Sequence, residues 1–206
     1  MSASFTTYKM SAQSAEKSNN LTDAEKNWQL AMSEARSFGK DDGRYCLCVD
    51  NLANIYFQQN KLDKAEELYK ESLEIRESHT PENLKDIATC LNNLASVQFK
   101  RSKYDDAEKN YNQSLKIRES EIGQSCKEVA VVIYQIGMIY HKQKKYPQAE
   151  DFYKKALDMK NKVFGPNHVE LVHILRNYAN LLKKTGREST ADQMYNFASS
   201  IESQNK

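Results

Sequence analysis

The sequence repeats itself every 42 residues. Leu52, Leu94, Ile136 and Tyr178 form one column at that spacing, and Ala53, Ala95, Gly137 and Ala179 follow in step. Later in each copy come Ala65, Ala107, Ala149 and Ala191, then Tyr69, Tyr111, Tyr153 and Tyr195, then Ser72, Ser114, Ala156 and Ala198. Columns that hold one period through four copies mark a stacked-repeat architecture, in which each unit buries its apolar face only against its neighbours. A further copy stands at the front. Ala24, Trp28 and Ala31 precede Ala65, Tyr69 and Ser72 by 41 residues, one residue having been lost in a connection, and its first helix, around Tyr8 to Lys17, keeps Ala12 in the small column.

Within a copy the apolar spacing is helical. Val49, Leu52, Ala53 and Tyr56 fall at i, i+3, i+4 and i+7, and Ala65, Leu68, Tyr69, Ser72 and Leu73 do the same. Between the two runs sits a short polar break, "QQNK" or "KRSK", of the length that joins antiparallel helices. Each copy therefore reads as a hairpin, helix A then helix B. Pro81, after Thr80, and Pro147 each mark the first turn of a helix. The small columns belong where A and B cross, since a methyl group or less lets two backbones approach. With 6 Gly and 3 Pro, turns are few. The expected fold is all-α, an α-solenoid of about five helix-turn-helix repeats forming a single domain over residues 1–206. The repeats are placed at about 4–38, 44–79, 83–121, 125–163 and 168–203.

The Leu-Ala-x-x-Tyr of helix A and the Ala-x-x-x-Tyr-x-x-Ala/Ser of helix B resemble tetratricopeptide (TPR) repeats. The 42-residue period is longer than the usual one and resembles the repeats of kinesin light chains and many bacterial proteins. "FGPNHVELVHILRNYANLL", Phe164 to Leu182, is similar to the link between two such repeats, and "LNNLASVQF", Leu91 to Phe99, to their helix A. The resemblance covers about residues 5–203. It implies a right-handed superhelix with helices A on the concave face, helices B on the convex face, and peptides bound in the groove. It names no partner, because one fold serves many.

Nothing in the sequence points to catalysis, so the chain is expected not to be an enzyme and to need no cofactor. His79, His141, His168 and His173 are scattered, and no phosphate-binding glycine loop or HExxH is present. Cys46, Cys48, Cys90 and Cys126 lack zinc-ligand spacing and are expected to be free thiols, with no structural metal. "KDDGR", Lys40 to Arg44, lacks calcium-loop spacing. The N-terminus has no apolar run of signal-peptide length and no stretch reaches membrane-span length, so the expectation is a cytoplasmic protein that does not engage membranes. A net charge of +2 argues against nucleic acid as partner.

The charge distribution is more informative than the total. Across helices A of the last three copies (residues 83–103, 127–145 and 169–187) twelve basic side chains face three acidic ones. Residues 62–78, a helix B, carry six acids against three bases. If helices A line a groove, that groove is basic and fits an acidic peptide. Lys100, Lys142 and Lys184 recur at helix A C-termini, where the helix dipole alone favours cations by roughly 0.3–1 kcal/mol each.

The candidate peptide-binding groove draws residues from the second to the fifth copy. It takes Asp50, Asn54 and Phe57 from the second copy and Asn92, Ser96, Phe99 and Lys100 from the third. The fourth adds Tyr134, Met138, His141 and Lys142, and the fifth Arg176, Asn180, Lys183 and Lys184. Phe57 and Phe99 share a column that His141 and Lys183 continue, which suits an apolar anchor beside acidic residues. Asn51, Asn93 and Asn177 share another column; in the resembled family such amides hold an extended peptide backbone. A clamp for a C-terminal carboxylate, as some relatives of this type carry, would need a Lys/Asn, Asn, Lys/Arg set in three successive helices A. Each window here, including the one opening on Lys9 and Gln13, is partial.

The resulting expectation is an adaptor that binds an acidic peptide segment in its groove, as a monomer or weak homo-oligomer. The alternatives are a self-assembling repeat protein, with Trp28 or Phe197 as contacts between chains, and a sensor of small molecules or signal peptides.

Overall fold

Helix crossings with no room for a larger side chain set the architecture. Ala53, Ala65, Ala95, Ala107, Ala149, Ala179 and Ala191 are all fully buried, as are Ser72, Ser114, Ala156 and Ala198. At Gly137 the crossing is tighter still: an added methyl group would lie 2.9 Å from the Tyr153 ring and 3.0 Å from Cβ of Phe152.

The computed structural model describes residues 3–78, 84–121 and 127–205; the Thr80–Pro81 helix start, His79 and Cys126 lie outside them. Among the described residues the chain forms ten α-helices and no strand. They are α1 (Ala3–Lys17), α2 (Leu21–Ala35), α3 (Gly43–Gln58), α4 (Leu62–Glu77), α5 (Leu84–Lys100), α6 (Tyr104–Glu121), α7 (Lys127–Lys142), α8 (Tyr146–Phe164), α9 (Val172–Lys184) and α10 (Glu188–Gln204). The chain divides into two units, Met1–Lys103 with α1 to α5 and Tyr104–Lys206 with α6 to α10. Inside each unit every helix packs on the next one in the chain. No described helix is long and apolar enough to cross a membrane.

One turn is used at the end of every helix A. Asn19, Asn60, Ser102, Lys144 and Gly186 all adopt positive φ, between 55° and 76°. The next N–H reaches back five residues, Lys61 to the Tyr56 carbonyl and Lys145 to the Tyr140 carbonyl, for example. This is the Schellman arrangement, which satisfies the last carbonyls of one helix and turns the chain into the next. Glycine fits it without strain at Gly186, while Ser102 and Lys144 adopt it at a steric cost. Helix starts are capped locally: the Asn20 side chain accepts from the Asp23 N–H, the Asp42 side chain accepts from the Arg44 N–H, and Pro147 opens α8.

The aromatic column fills the space beside the crossings. Tyr69, Tyr111 and Tyr153 are buried, and Trp28 takes the same place in the first copy, with its Nε1–H donating to Glu16 at 2.6 Å. Trp28 is fully buried, so it cannot be the contact between chains that its exposure would require. Phe197 is exposed. Burying such a ring contributes roughly 1.5–3 kcal/mol.

A second recurrent device ties each hairpin to the following helix A. An acidic column on helices B, spaced like the others, reaches forward. Glu25 pairs with Lys61 at 2.7 Å; Glu66 pairs with Arg101 and, at 3.0 Å, with Lys103. Glu108 accepts from the Tyr140 hydroxyl, and Glu150 accepts from Tyr178 at 2.8 Å and pairs with Arg187. Burial works against the Glu66 charge, yet its bonds to Lys103, Lys70 and Arg101 outweigh it and pull the carboxyl down to about 2. Arg187, the largest influence on Glu150, pulls that group to about 2 as well, against burial.

Two expectations follow for stability. Gly137→Ala should lose about 1 kcal/mol or more in urea unfolding despite its gain in helix propensity, and Ala149→Phe about 1–3 kcal/mol or more. Gln148→Ala, on the exposed side, should unfold like the parent; a neutral Ala149→Phe would show the crossing to be elsewhere. Glu66 and Glu150 have folded pKa values below their ordinary 4.5, so their stabilisation is complete above that pH and disappears as the pH falls toward about 2. Glu66→Gln should flatten this acid loss, as read from unfolding midpoints across the same range.

Candidate functional site

Each unit carries its own part of the predicted groove. In the first unit most polar groups of that groove are already engaged. Asn51 Nδ2 donates back to the Leu47 carbonyl at 2.7 Å, and Asn54 Oδ1 accepts from the Tyr69 hydroxyl on α4. Asp50 accepts from Ser72 Oγ at 2.6 Å and pairs with Arg76. Ser96 Oγ donates to the Asn92 carbonyl at 2.9 Å, whereas Asn92 Oδ1 is buried with no hydrogen-bond partner. Asn93, Phe57 and Phe99 are half-buried. Lys100 Nζ lies 3.9 Å from the centroid of the Phe57 ring, a cation–π contact that reaches from α5 back to α3.

The second unit holds an open cleft of about 370 Å³ between α7, α8 and α9. Its walls are Met138, His141 and Lys142 on α7, Lys144 in the turn, Tyr153 on α8, and Asn177, Asn180 and Lys184 on α9. The structure thus brings together six of the predicted groove residues. Asn177, Asn180 and Lys184 share a face because they stand at i, i+3 and i+7. Tyr153 and Lys144 join the cleft without having been in the predicted groove. Tyr153 was legible only as a core column residue, and Lys144, counted among the basic residues of 127–145, stands in the turn after α7 and belongs to no helix face.

Three predicted residues sit elsewhere. Tyr134 packs its ring 5.9 Å from that of Tyr153, and its hydroxyl accepts from Asn177 Nδ2, fastening α9 to α7. Arg176 pairs with Glu202 on α10 at 2.7 Å. Lys183 pairs with Asp192 at 3.1 Å, its ammonium 4.9 Å from the Tyr195 ring centroid. Both cations face α10 and not the cleft.

The electrostatics of the cleft are one-sided. Among the described residues no carboxylate lines it. Lys142, Lys144 and Lys184 are exposed, and among the described residues none of the three is ion-paired. His141 Nδ1 shares a hydrogen bond with the Tyr153 hydroxyl at 3.1 Å. Burial pushes the His141 imidazole below its ordinary value, and the charges of Lys184 and Lys142 add to the effect. Burial also holds the Tyr153 hydroxyl neutral. The same columns in the first unit read Asn54, Phe57, Gln58 and Asn60, then Tyr69, then Asn93, Ser96 and Lys100. One cation stands there, and it rests on Phe57. The second unit has replaced an aromatic and two neutral positions with His141, Lys142 and Lys144.

Such a cleft can bind an anion. Its only hydrogen-bonded pair of titratable groups, His141 with Tyr153, has no carboxylate or nucleophile beside it. Among the described residues no group of three or more His, Cys, Asp or Glu side chains is placed to hold a metal ion. Cys48 and Cys90 are buried, Cys46 half-buried, and all three are free; burial pushes the Cys48 thiol up to about 12 and the Cys90 thiol to about 11.

Two family models, both described as Tetratricopeptide repeat, match the chain, one over residues 4–78 and 128–201 and the other over 87–125. Among solved structures the chain is similar to BtubC (BKLC) from P. vanneervenii, at 23% identity over 94% of this chain and 77% of that one, with a TM-score of 0.81. It is also similar to a putative kinesin light chain with nearly identical TPR-like repeats from Podosopora anserina, at 11% identity, 100% and 99% coverage and TM-score 0.80. The apo form of RapI matches at 18% identity, covering 98% of this chain and 71% of its own, with TM-score 0.83. At these identities the likeness is one of fold. None of the curated proteins matches the chain in sequence.

The His141 imidazole should titrate below 6.5 in an NMR pH series. Lys184→Gln and Lys142→Gln should each move the midpoint upward, because each removes a neighbouring positive charge. A midpoint insensitive to both would place the lysines away from the ring.

Proposed function

This chain belongs to the tetratricopeptide-repeat family, and from that premise we propose that it is a non-enzymatic scaffold whose helices A bind an acidic peptide segment of a partner protein. One observation carries the reading: three lysines with no ion pair among the described residues surround a cleft that no carboxylate lines. Like charges held together in this way repel one another, and an anionic partner removes that cost.

The partner segment places its acidic side chains against Lys142, Lys184 and Lys144. Asn180 supports the reading as a further polar group: its Oδ1 accepts from the Tyr195 hydroxyl, leaving Nδ2 to donate. Exposed charge pairs contribute only about 0–1 kcal/mol each, so an apolar anchor supplies a large share of the affinity. Met138 in the cleft wall is the candidate for that contact. Free thiols at Cys46, Cys48 and Cys90 support a reducing, cytoplasmic setting.

A second reading, self-assembly, rests on a different feature. Exposed Phe197 borders an apolar cleft of about 240 Å³ with Leu157, Leu171 and Leu175 in the second unit. Concentration-dependent mass that Phe197→Asp abolishes would favour it.

The test is titration of partner segments captured from host lysate, at low and high salt. Binding should weaken with salt, fall further for Met138→Ala than for Lys184→Ala, and drop at least about tenfold for Lys142→Glu with Lys184→Glu, while the helical melt is unchanged. Arg176→Glu should act mainly on stability, because Arg176 belongs to the Glu202 pair. Binding that ignores salt and survives the double reversal would move the site off the basic cleft.

A further inference from the structure

The cleft of the second unit gathers three lysines around one space, and that narrows the anion it accepts. Lys142, Lys144 and Lys184 line a cleft of about 370 Å³ that also has His141 and Asn180 in its walls. A compact space of that size is about as wide as one step between same-face side chains of an extended peptide, roughly 7 Å. A run of glutamates would therefore bring one carboxylate, and one negative charge, into the cleft. One charge leaves most of the repulsion among three ammonium groups in place.

The type of cation also discriminates. No arginine lines the cleft, since Arg176 is held by Glu202 and Arg187 by Glu150. The planar guanidinium fork is the side chain that matches a carboxylate in bidentate geometry, whereas lysines act as mobile point charges around a more highly charged centre. The repeat columns of the first unit show that neither the fold nor the helix termini require this cluster. The same geometry is built there with Phe57, Gln58 and Asn60 in place of His141, Lys142 and Lys144.

We infer that the cleft between α7, α8 and α9 is a phosphate-monoester site, occupied by a phosphorylated serine or threonine of the partner segment. The inference rests on the proposed peptide-binding role and specifies the ligand group of that same site. A phosphoryl group at neutral pH carries about −1.5 to −2 charge and three terminal acceptor oxygens on a single atom. It neutralises most of the lysine charge at one point, and each ammonium donates to a different oxygen. Binding would then depend on phosphorylation of the partner.

The test needs no knowledge of the partner. The folded full chain is titrated with N-acetyl-phosphoserine N-methylamide, its glutamate and serine counterparts, and inorganic phosphate, with the His141 imidazole NMR signals as readout. The phosphoserine compound should saturate the signals and bind at least about tenfold tighter than the glutamate compound, the difference expected from one or more added charge-assisted hydrogen bonds. Lys142→Gln with Lys184→Gln should remove the response, and Lys155→Gln, exposed on α8 and outside the cleft lining, should leave it intact. Equal binding of glutamate and phosphoserine would overturn the inference, as would no response to either. Tighter binding of inorganic phosphate than of the phosphoserine compound would assign the cleft to a free anion instead. Stronger displacement of the phosphoserine compound by a single-stranded oligonucleotide would assign it to nucleic acid. The peptide-binding reading fails on a separate result, captured segments whose binding survives Lys142→Glu with Lys184→Glu.

Discussion

The close approach of helices A and B governs everything else in this protein. Two helices can cross with their backbones nearly touching only if the residues between them end at Cβ or before it. Ala53, Ala65, Ala149 and Ala179 meet that condition with no exposed surface, and Gly137 meets it where even a methyl group would strike Tyr153 and Phe152. With the crossing fixed, the Tyr column has one place to go, and its rings close the space beside each crossing. The hairpin that results still exposes an apolar edge, which drives stacking of the next helix A. The Schellman turn delivers that geometry at the same point in each copy, and it does so even where Ser102 or Lys144 must take positive φ.

Charge is divided according to the same frame. The acidic column of helices B spends its charge inside the protein, on the cation or hydroxyl presented by the next helix A. Glu66 is buried and holds Arg101 and Lys103; Glu150 holds Arg187 and Tyr178. A sum of charges over helices A therefore overstates what a ligand meets. Of the twelve basic residues counted there, Arg101, Lys103 and Arg187 are drawn into these staples, Arg176 and Lys183 pair with α10, and Lys100 lies on Phe57. What remains concentrated in the second unit is Lys142, Lys144 and Lys184.

The fold was legible because packing at a fixed geometry writes itself into the sequence as a period. The Ala and Tyr columns identify crossings and rings directly, and Pro147 marks the start of α8. Trp28 illustrates a signal that was present and overruled: it occupies the Tyr column, which predicts burial, yet as a large aromatic it was offered as an external contact. Site residues were less legible because helical periodicity locates a face only to within one neighbouring position. Asn177 and Arg176 are adjacent in sequence, and one fastens to Tyr134 on α7 while the other turns to Glu202 on α10. Which of the two faces a groove depends on an ion pair to a residue 26 positions away, and no local pattern records that. Lys144 stands past the last turn of α7 at positive φ, so the helical period assigns it no face.

The copies separate the requirements of folding from those of binding within a single chain. At the crossing and ring columns the residue barely changes from copy to copy, because each neighbour is packed on both sides. At the groove columns it changes freely: Phe57 becomes His141, Gln58 becomes Lys142, Asn60 becomes Lys144. These positions touch solvent on one side, so surface substitutions there cost the fold little. A change of ligand therefore requires no change of scaffold. The concentration of cations in one unit follows from this freedom. Three unpaired ammonium groups add nothing to hairpin packing and oppose one another; the helix dipole favours Lys142 and Lys184 by about 0.3–1 kcal/mol each, Lys144 lies beyond it, and a dianionic group seated between α7, α8 and α9 gives all three a common reason.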